Sequence, residues 1–193
     1  MKKRVFIVHG WDGYPKEGWF PWLKKELKNR GFEVFVPRLP DSENPRINNW
    51  VPKLAEVVGT PDENTYFVGH SLGCQAIARY LENLPEKTKA GGAVFVAGFL
   101  KELSGLEKDP ESQVIAKHWL GTSLDLNKVK SHLKKSIAIF SDDDPWVPLD
   151  NQDDFREKLG SKIIIEHKMG HFSGSNGVVK LPIALKSFLE ISK

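Results

Sequence analysis

With 193 residues the chain is long enough for one domain with a substantial core, and its 40% hydrophobic fraction fits a soluble globular protein. The 28 basic and 25 acidic residues leave a net charge of +3 and are interspersed, as in Lys24-Lys25-Glu26, which argues against a basic stripe for nucleic acid. A single cysteine, Cys74, excludes an internal disulfide framework, and no apolar run approaches membrane-spanning length, so a cytoplasmic location with neither nucleic acid nor membrane as partner is expected.

Met1-Lys2-Lys3-Arg4 resembles the basic start of a signal peptide, but the apolar run after it, residues 5–8, is too short for one and reads as a strand. That run is continuous, as in parallel strands covered on both faces, and it ends in the loop His9-Gly10-Trp11. Pro21 at a first helical position, the stripe Trp22, Leu23 and Leu27, and Gly31 at the end predict a first helix. Residues 32–36 predict a second strand stopped by Pro37. After a proline-rich loop, Ile47, Trp50, Val51, Leu54, Val57 and Val58 predict a second helix; Pro52 fits a first turn, which places the start near Asn49. Residues 65–68, Thr-Tyr-Phe-Val, predict a third strand. The helical spacing of Leu72, Ala76, Ile77, Tyr80, Leu81 and Leu84 predicts a helix that stops before Pro85.

Residues 93–97 predict a fourth strand. The stretch 101–135 is the least regular, with helices suggested over 114–119 and 126–133, and is the place for a small lid. A fifth strand over 137–140, a helix over 149–159 ended by Gly160, a sixth strand over 163–165 and a closing helix from about 177 to 191 complete the chain. Alternation along the whole length predicts one α/β domain over 1–193: a mostly parallel sheet of about six strands, helices on both faces, and right-handed crossovers. Ligands on such sheets bind beyond the carboxyl ends of the strands, so the loops there are the ones to search.

Three of those loops carry what a serine nucleophile needs. Gly69-His70-Ser71-Leu72-Gly73 is a G-x-S-x-G between a strand and a helix, where the serine is held in a strained turn with its hydroxyl exposed. The plainer use of such a segment is a turn between two core elements. Ser141-Asp142-Asp143-Asp144-Pro145-Trp146-Val147-Pro148 follows the fifth strand and Gly170-His171-Phe172 follows the sixth. The order Ser71, aspartate, His171 is that of α/β-hydrolases, in which imidazole takes the serine proton and a carboxylate fixes its tautomer. Asp144 is favoured because Asp144-Pro145-Trp146-Val147-Pro148 resembles their acid loop D-x-x-V-P. Asp142 and Asp143 stay open, and all three also suit turns and helix caps.

The other histidines have plainer readings. His118 and His132 fall in helical segments and are expected in solvent, His167 lies beside the sixth strand, and His9 and His70 stand at strand ends and shape loops. His167 and His171 do not share a helical face, so no zinc pair and no metal are expected, and no cofactor is implied. By analogy with α/β-hydrolases, backbone N–H groups of Leu72 and Trp11 would form the oxyanion hole. Cys74 reads as a small buried residue.

With these loops in place the chain resembles the small serine-hydrolase family of retinoblastoma-binding protein nine and its bacterial YdeN-like relatives. The stretches that carry the resemblance run nearly end to end: residues 18–27, Leu39-Pro40-Asp41 followed by Asn49-Trp50, Gly69-His70-Ser71, Ser141 to Pro145, and Gly170-His171-Phe172. The resemblance implies an α/β-hydrolase fold, a triad of Ser71, Asp144 and His171, and hydrolysis of acyl compounds. Retinoblastoma binding is not carried over, because the nearest string to Leu-x-Cys-x-Glu, residues 72–76, ends in Ala76. His9, Phe99, Trp119 and Trp146 lie on segments around the proposed site and are expected to line a shallow pocket for short or medium acyl groups, since residues 101–135 are too few for a large cap. The leading expectation is a serine hydrolase of esters, thioesters or small amides acting on a small-molecule acyl substrate. A peptidase, or a binding module that keeps the scaffold, stands as the alternative, and the oligomeric state is left open.

Overall fold

The computed structural model describes residues 2–193. In chain order the elements are β1 (Arg4–Val8), α1 (Phe20–Asn29), β2 (Glu33–Phe35), α2 (Ile47–Val58), β3 (Thr65–His70), α3 (Leu72–Glu82), β4 (Gly92–Val96), α4 (Pro110–Gly121), α5 (Leu126–His132), β5 (Ser136–Ser141), α6 (Asn151–Glu157), β6 (Lys162–Glu166) and α7 (Pro182–Ile191), with a 3₁₀ turn over Gly174–Asn176. Among the described residues the six strands form one parallel sheet in the order β2-β1-β3-β4-β5-β6. This is the α/β-hydrolase architecture, and every connection between neighbouring strands has to cross over a face of the sheet.

The strand sequences read as unbroken apolar runs because both faces are covered. Phe6, Val8, Phe67, Phe95 and Phe140 point into a core beneath α2, α3, α4 and α6, where Trp50, Leu54, Ile77, Trp119 and Phe155 are buried. Val5, Ile7, Val68, Val94 and Ile139 point the other way, into a core closed by α1 and α7 through Trp19, Leu23, Leu27 and Phe188. The side-chain period of two thus sorts each strand between two cores.

Three expectations about elements are corrected. α2 begins at Ile47, two residues earlier than Pro52 in a first turn allows. Pro52 is exposed on the solvent face, and burial of Trp50, Val51, Leu54 and Val58 outweighs the single hydrogen bond that proline removes. The closing helix starts at Pro182; Leu181, forced out of the helical region by the proline that follows it, has φ −134° and ψ 78°, and residues 177–181 are not helical. The stretch read as a small lid is divided. Its second half is fixed to the body, since Val129 and His132 of α5 are buried and Arg79 of α3 donates to the carbonyls of Trp119, Thr122 and Ser123. Only the first half, up to Ser112 in α4, overhangs the carboxyl edge of the sheet.

α3 crosses β1 closely enough to require glycine. A Cβ on Gly73 would lie 2.3 Å from the Val8 carbonyl oxygen and 2.6 Å from that of His9, both rigid backbone atoms. Replacing Gly73 by alanine is therefore predicted to lower stability by about 1–3 kcal/mol as α3 is pushed off the sheet; urea denaturation that leaves the midpoint unchanged would refute this account of the glycine.

Candidate active site

Ser71 joins β3 to α3 with φ 52° and ψ −123°, a conformation disfavoured for a residue with a side chain. The turn is held from both sides: Ser71 N–H donates to the Val96 carbonyl at 2.9 Å, and Cys74 N–H donates to the Ser71 carbonyl at 2.9 Å. A Cβ on Gly69 would meet Cys74 Cα at 3.0 Å, so the first glycine of the motif, like Gly73, answers to close helix–strand approach. Ser71 itself is 9% exposed and reaches the floor of a cleft of about 470 Å³.

The three consecutive aspartates have three different partners. Asp142 accepts from His167 Nδ1 at 2.6 Å and from Lys168 N at 3.0 Å. Asp143 accepts from Ser141 Oγ at 2.7 Å and from Gly170 N at 2.8 Å. Asp144 turns inward, its side chain only 2% exposed, and meets His171 Nδ1 with both oxygens, at 2.8 and 3.0 Å. It also accepts from the backbone N–H groups of Trp146 and Val147, so the turn-forming use of this aspartate and its contact with His171 coexist. Hydrogen bonding to His167 lowers the Asp142 pKa, and hydrogen bonding to Ser141 lowers that of Asp143, so both stay ionised.

His171 lies on the same cleft as Ser71. Its backbone is fixed at N–H by Asn176 Oδ1, 3.1 Å away, and at the carbonyl by His70 Nε2, 2.7 Å away. The His70 ring packs edge-on to Trp19 and Phe20 and is buried; burial, with a further push from His171, lowers its pKa to about 3. A neutral His70 donating from Nε2 is the form that this geometry requires. The sequence marks His70 as a loop-shaping residue, and its particular task, holding the His171 carbonyl, is visible only in three dimensions.

Leu72 and Trp11 both border the cleft, and neither backbone N–H donates to a backbone carbonyl among the described residues. Phe99 and Trp146 line the cleft as well. His9 and Trp119, expected on its wall, do not. His9 is buried behind it, accepting from Leu39 N at Nε2 and donating from Nδ1 to the Gly10 carbonyl, with its pKa lowered by burial. Trp119 is fully buried in the α2–α4 core, edge-on to Trp50 and donating to the Pro45 carbonyl at 3.0 Å. Ile115, Ala116 and Trp119 of α4 face inward while Val114 is exposed, and nothing in the apolar spacing distinguishes core from cleft.

His132 is not solvated as expected: it is 2% exposed and its Nδ1 donates to the Thr88 carbonyl at 2.7 Å, because the last turn of α5 packs against the body. His118 is half-buried, and burial lowers its pKa. Glu17, Leu103 and Leu106, not singled out in the sequence, also border the cleft. Glu17 follows β1 by nine residues, and its place on a loop beyond a strand's carboxyl end was the signal that could have found it.

A family model described as serine hydrolase matches residues 5–190. YdeN of Bacillus subtilis (strain 168), a hydrolase by name, is 36% identical over 183 residues, which cover 95% of this chain and 93% of that protein. The serine hydrolase RBBP9 of Rattus norvegicus is 27% identical over 175 residues, covering 89% and 88%. The crystal structure of the B. subtilis ydeN gene product superposes with a TM-score of 0.89 at 33% identity, covering 98% of each chain.

The buried His70 makes stability depend on pH. Its folded pKa is depressed below the ordinary 6.5, so the unfolded chain binds more protons as pH falls below that value; the stabilisation is complete above about pH 6.5 and is lost progressively toward pH 3. Between pH 7 and pH 5 a loss of about 2 kcal/mol is expected from this group. Urea denaturation at the two pH values should show a smaller difference for His70→Gln than for the parent chain, and an equal difference would remove His70 as the source.

Proposed function

The chain belongs to the serine hydrolase family, and from that premise we propose that it cleaves carboxylic esters, thioesters or small amides through an acyl-enzyme on Ser71, with His171 as general base and acid and Asp144 orienting it. The observation that carries this reading is the two-oxygen contact of the buried Asp144 carboxylate with His171 Nδ1, on an imidazole that shares one cleft with Ser71.

In the first half-reaction the Ser71 oxygen bonds to the substrate carbonyl carbon while its proton passes to His171 Nε2. The Asp144 carboxylate holds the Nδ1–H tautomer and stabilises the imidazolium that forms. Negative charge on the former carbonyl oxygen is met by the N–H groups of Leu72 and Trp11, each such donor being worth about 3 kcal/mol in the transition state. Collapse breaks the bond to the leaving group, which takes the proton from His171. Water, giving a proton to the same nitrogen, then releases the acid and frees Ser71.

The open cleft of about 470 Å³, bordered by Trp11, Phe99 and Trp146, favours short or medium acyl groups. A cytoplasmic setting fits the single, buried Cys74. Binding of a retinoblastoma-type pocket is not part of this reading, since residues 72–76, the nearest match to its ligand pattern, are buried in α3.

A fluorophosphonate probe should add one adduct to the intact mass of the parent chain, none to Ser71→Ala, and react far more slowly with His171→Ala. Asp144→Asn should lower ester turnover by roughly 10⁴ with the fold retained. A folded parent chain that takes no adduct would point to a binding module on a hydrolase scaffold, and a collapse in Asp143→Asn with Asp144→Asn active would move the acid to the neighbouring residue.

A further inference from the structure

The wall of the cleft around Ser71 and His171 carries three carboxylates, Asp12, Glu17 and Asp109, and among the described residues no lysine or arginine. Two of the three have evident structural uses. Asp109 caps α4, accepting from Ser112 N at 3.2 Å and from Ser112 Oγ at 2.6 Å. Asp12 is exposed on a left-handed turn, φ 55°, whose N–H donates to the Ser42 carbonyl.

Glu17 differs from both. It is half-buried, and no lysine, arginine or histidine lies within ion-pair distance of it among the described residues. Burial raises its pKa; hydrogen bonding from the Tyr14 backbone and the nearby His171 imidazole act against that, and Asp12 adds to it. A carboxylate taken partly out of water without a counter-ion is unfavourable unless something completes its surroundings. Trp11, Phe99 and Trp146 border the same cavity with aromatic surface, which attracts cations as well as apolar groups.

Resting on the acyl-enzyme reading, we propose that this cleft takes esters or amides that carry an ammonium group, and that Glu17 is the residue that recognises the charge. An ammonium placed between Glu17 and the aromatic wall replaces the missing counter-ion. A carboxylate-bearing substrate meets three like charges and no cation, so the same wall selects against it.

The charge can sit on the alcohol or on the acyl side of the scissile bond, and matched substrates separate the two. Butyrylcholine against 3,3-dimethylbutyl butyrate varies only the charge on the alcohol; 4-nitrophenyl 6-aminohexanoate against 4-nitrophenyl heptanoate varies it on the acyl group. In at least one pair the cationic ester is expected to have a kcat/KM about tenfold higher. Glu17→Gln should bring that ratio toward one, chiefly through KM, and Glu17→Asp should retain part of it. The ratio is internal to each variant and does not depend on how much activity the variant keeps.

Ratios near one in both pairs, with the neutral esters turned over, would overturn the substrate class and leave the acyl-enzyme intact. An equal fall for both members of a pair in Glu17→Gln would make Glu17 a partner of His171, and would overturn its role toward substrate. No turnover of any ester, together with no fluorophosphonate adduct, would remove the acyl-enzyme reading and this proposal with it.

Discussion

The arrangement of the site depends on the lacing of two loops, the one after β5 and the one after β6. Asp142 and Asp143 accept from the N–H groups of Lys168 and Gly170, and Ser141 Oγ accepts from Met169 N, so three consecutive donors of the second loop are taken up by three consecutive residues of the first. With its neighbours committed in this way, Asp144 is carried inward to His171. The lacing in turn requires the parallel register that sets Ser141 opposite Glu166. A slip of one residue would turn the side chains of β6 to the opposite faces and misalign every donor with its acceptor.

The third loop is set by a different constraint. Ser71 occupies a backbone conformation that costs on the order of 1–3 kcal/mol, and it persists because α3 is packed against the sheet at glycine distance. The core on one side and the two glycines on the other leave the chain no alternative path between β3 and α3. His70 then connects this elbow to the histidine loop: it belongs to β3 and holds the carbonyl of His171. Packing, through Trp19 and Phe20, keeps that imidazole dry and neutral, so a stability determinant and a positioning contact reside in one side chain.

The electrostatics of the cleft follow from what surrounds it. Its border carries Asp109, held by hydrogen bonds from Ser112, together with the half-buried Glu17 and the exposed Asp12, which Glu43 also repels. The overall charge of +3 says nothing of this, because the basic residues are elsewhere on the surface, among them the lysines of α1. Net composition averages over the surface, whereas a substrate meets one wall of one cleft.

By itself the sequence determined the alternation of strands and helices, the elbow at Ser71, and the order in which serine, aspartate and histidine loops reach one edge of a sheet. These are legible because apolar periodicity and glycine spacing record local geometry directly. The loop wording after Asp144 favours that residue in the sequence, but which of Asp142, Asp143 and Asp144 meets His171 was decided by tertiary structure, through the partners that the loop after β6 brings to each. Tertiary structure also decided that Trp146 borders the cleft while Trp119 lies in the core, that His9 and His132 are buried, and that α2 runs through Pro52. A one-dimensional pattern states that a residue prefers burial or a hydrogen bond; which neighbour satisfies it is fixed only when distant segments are packed together.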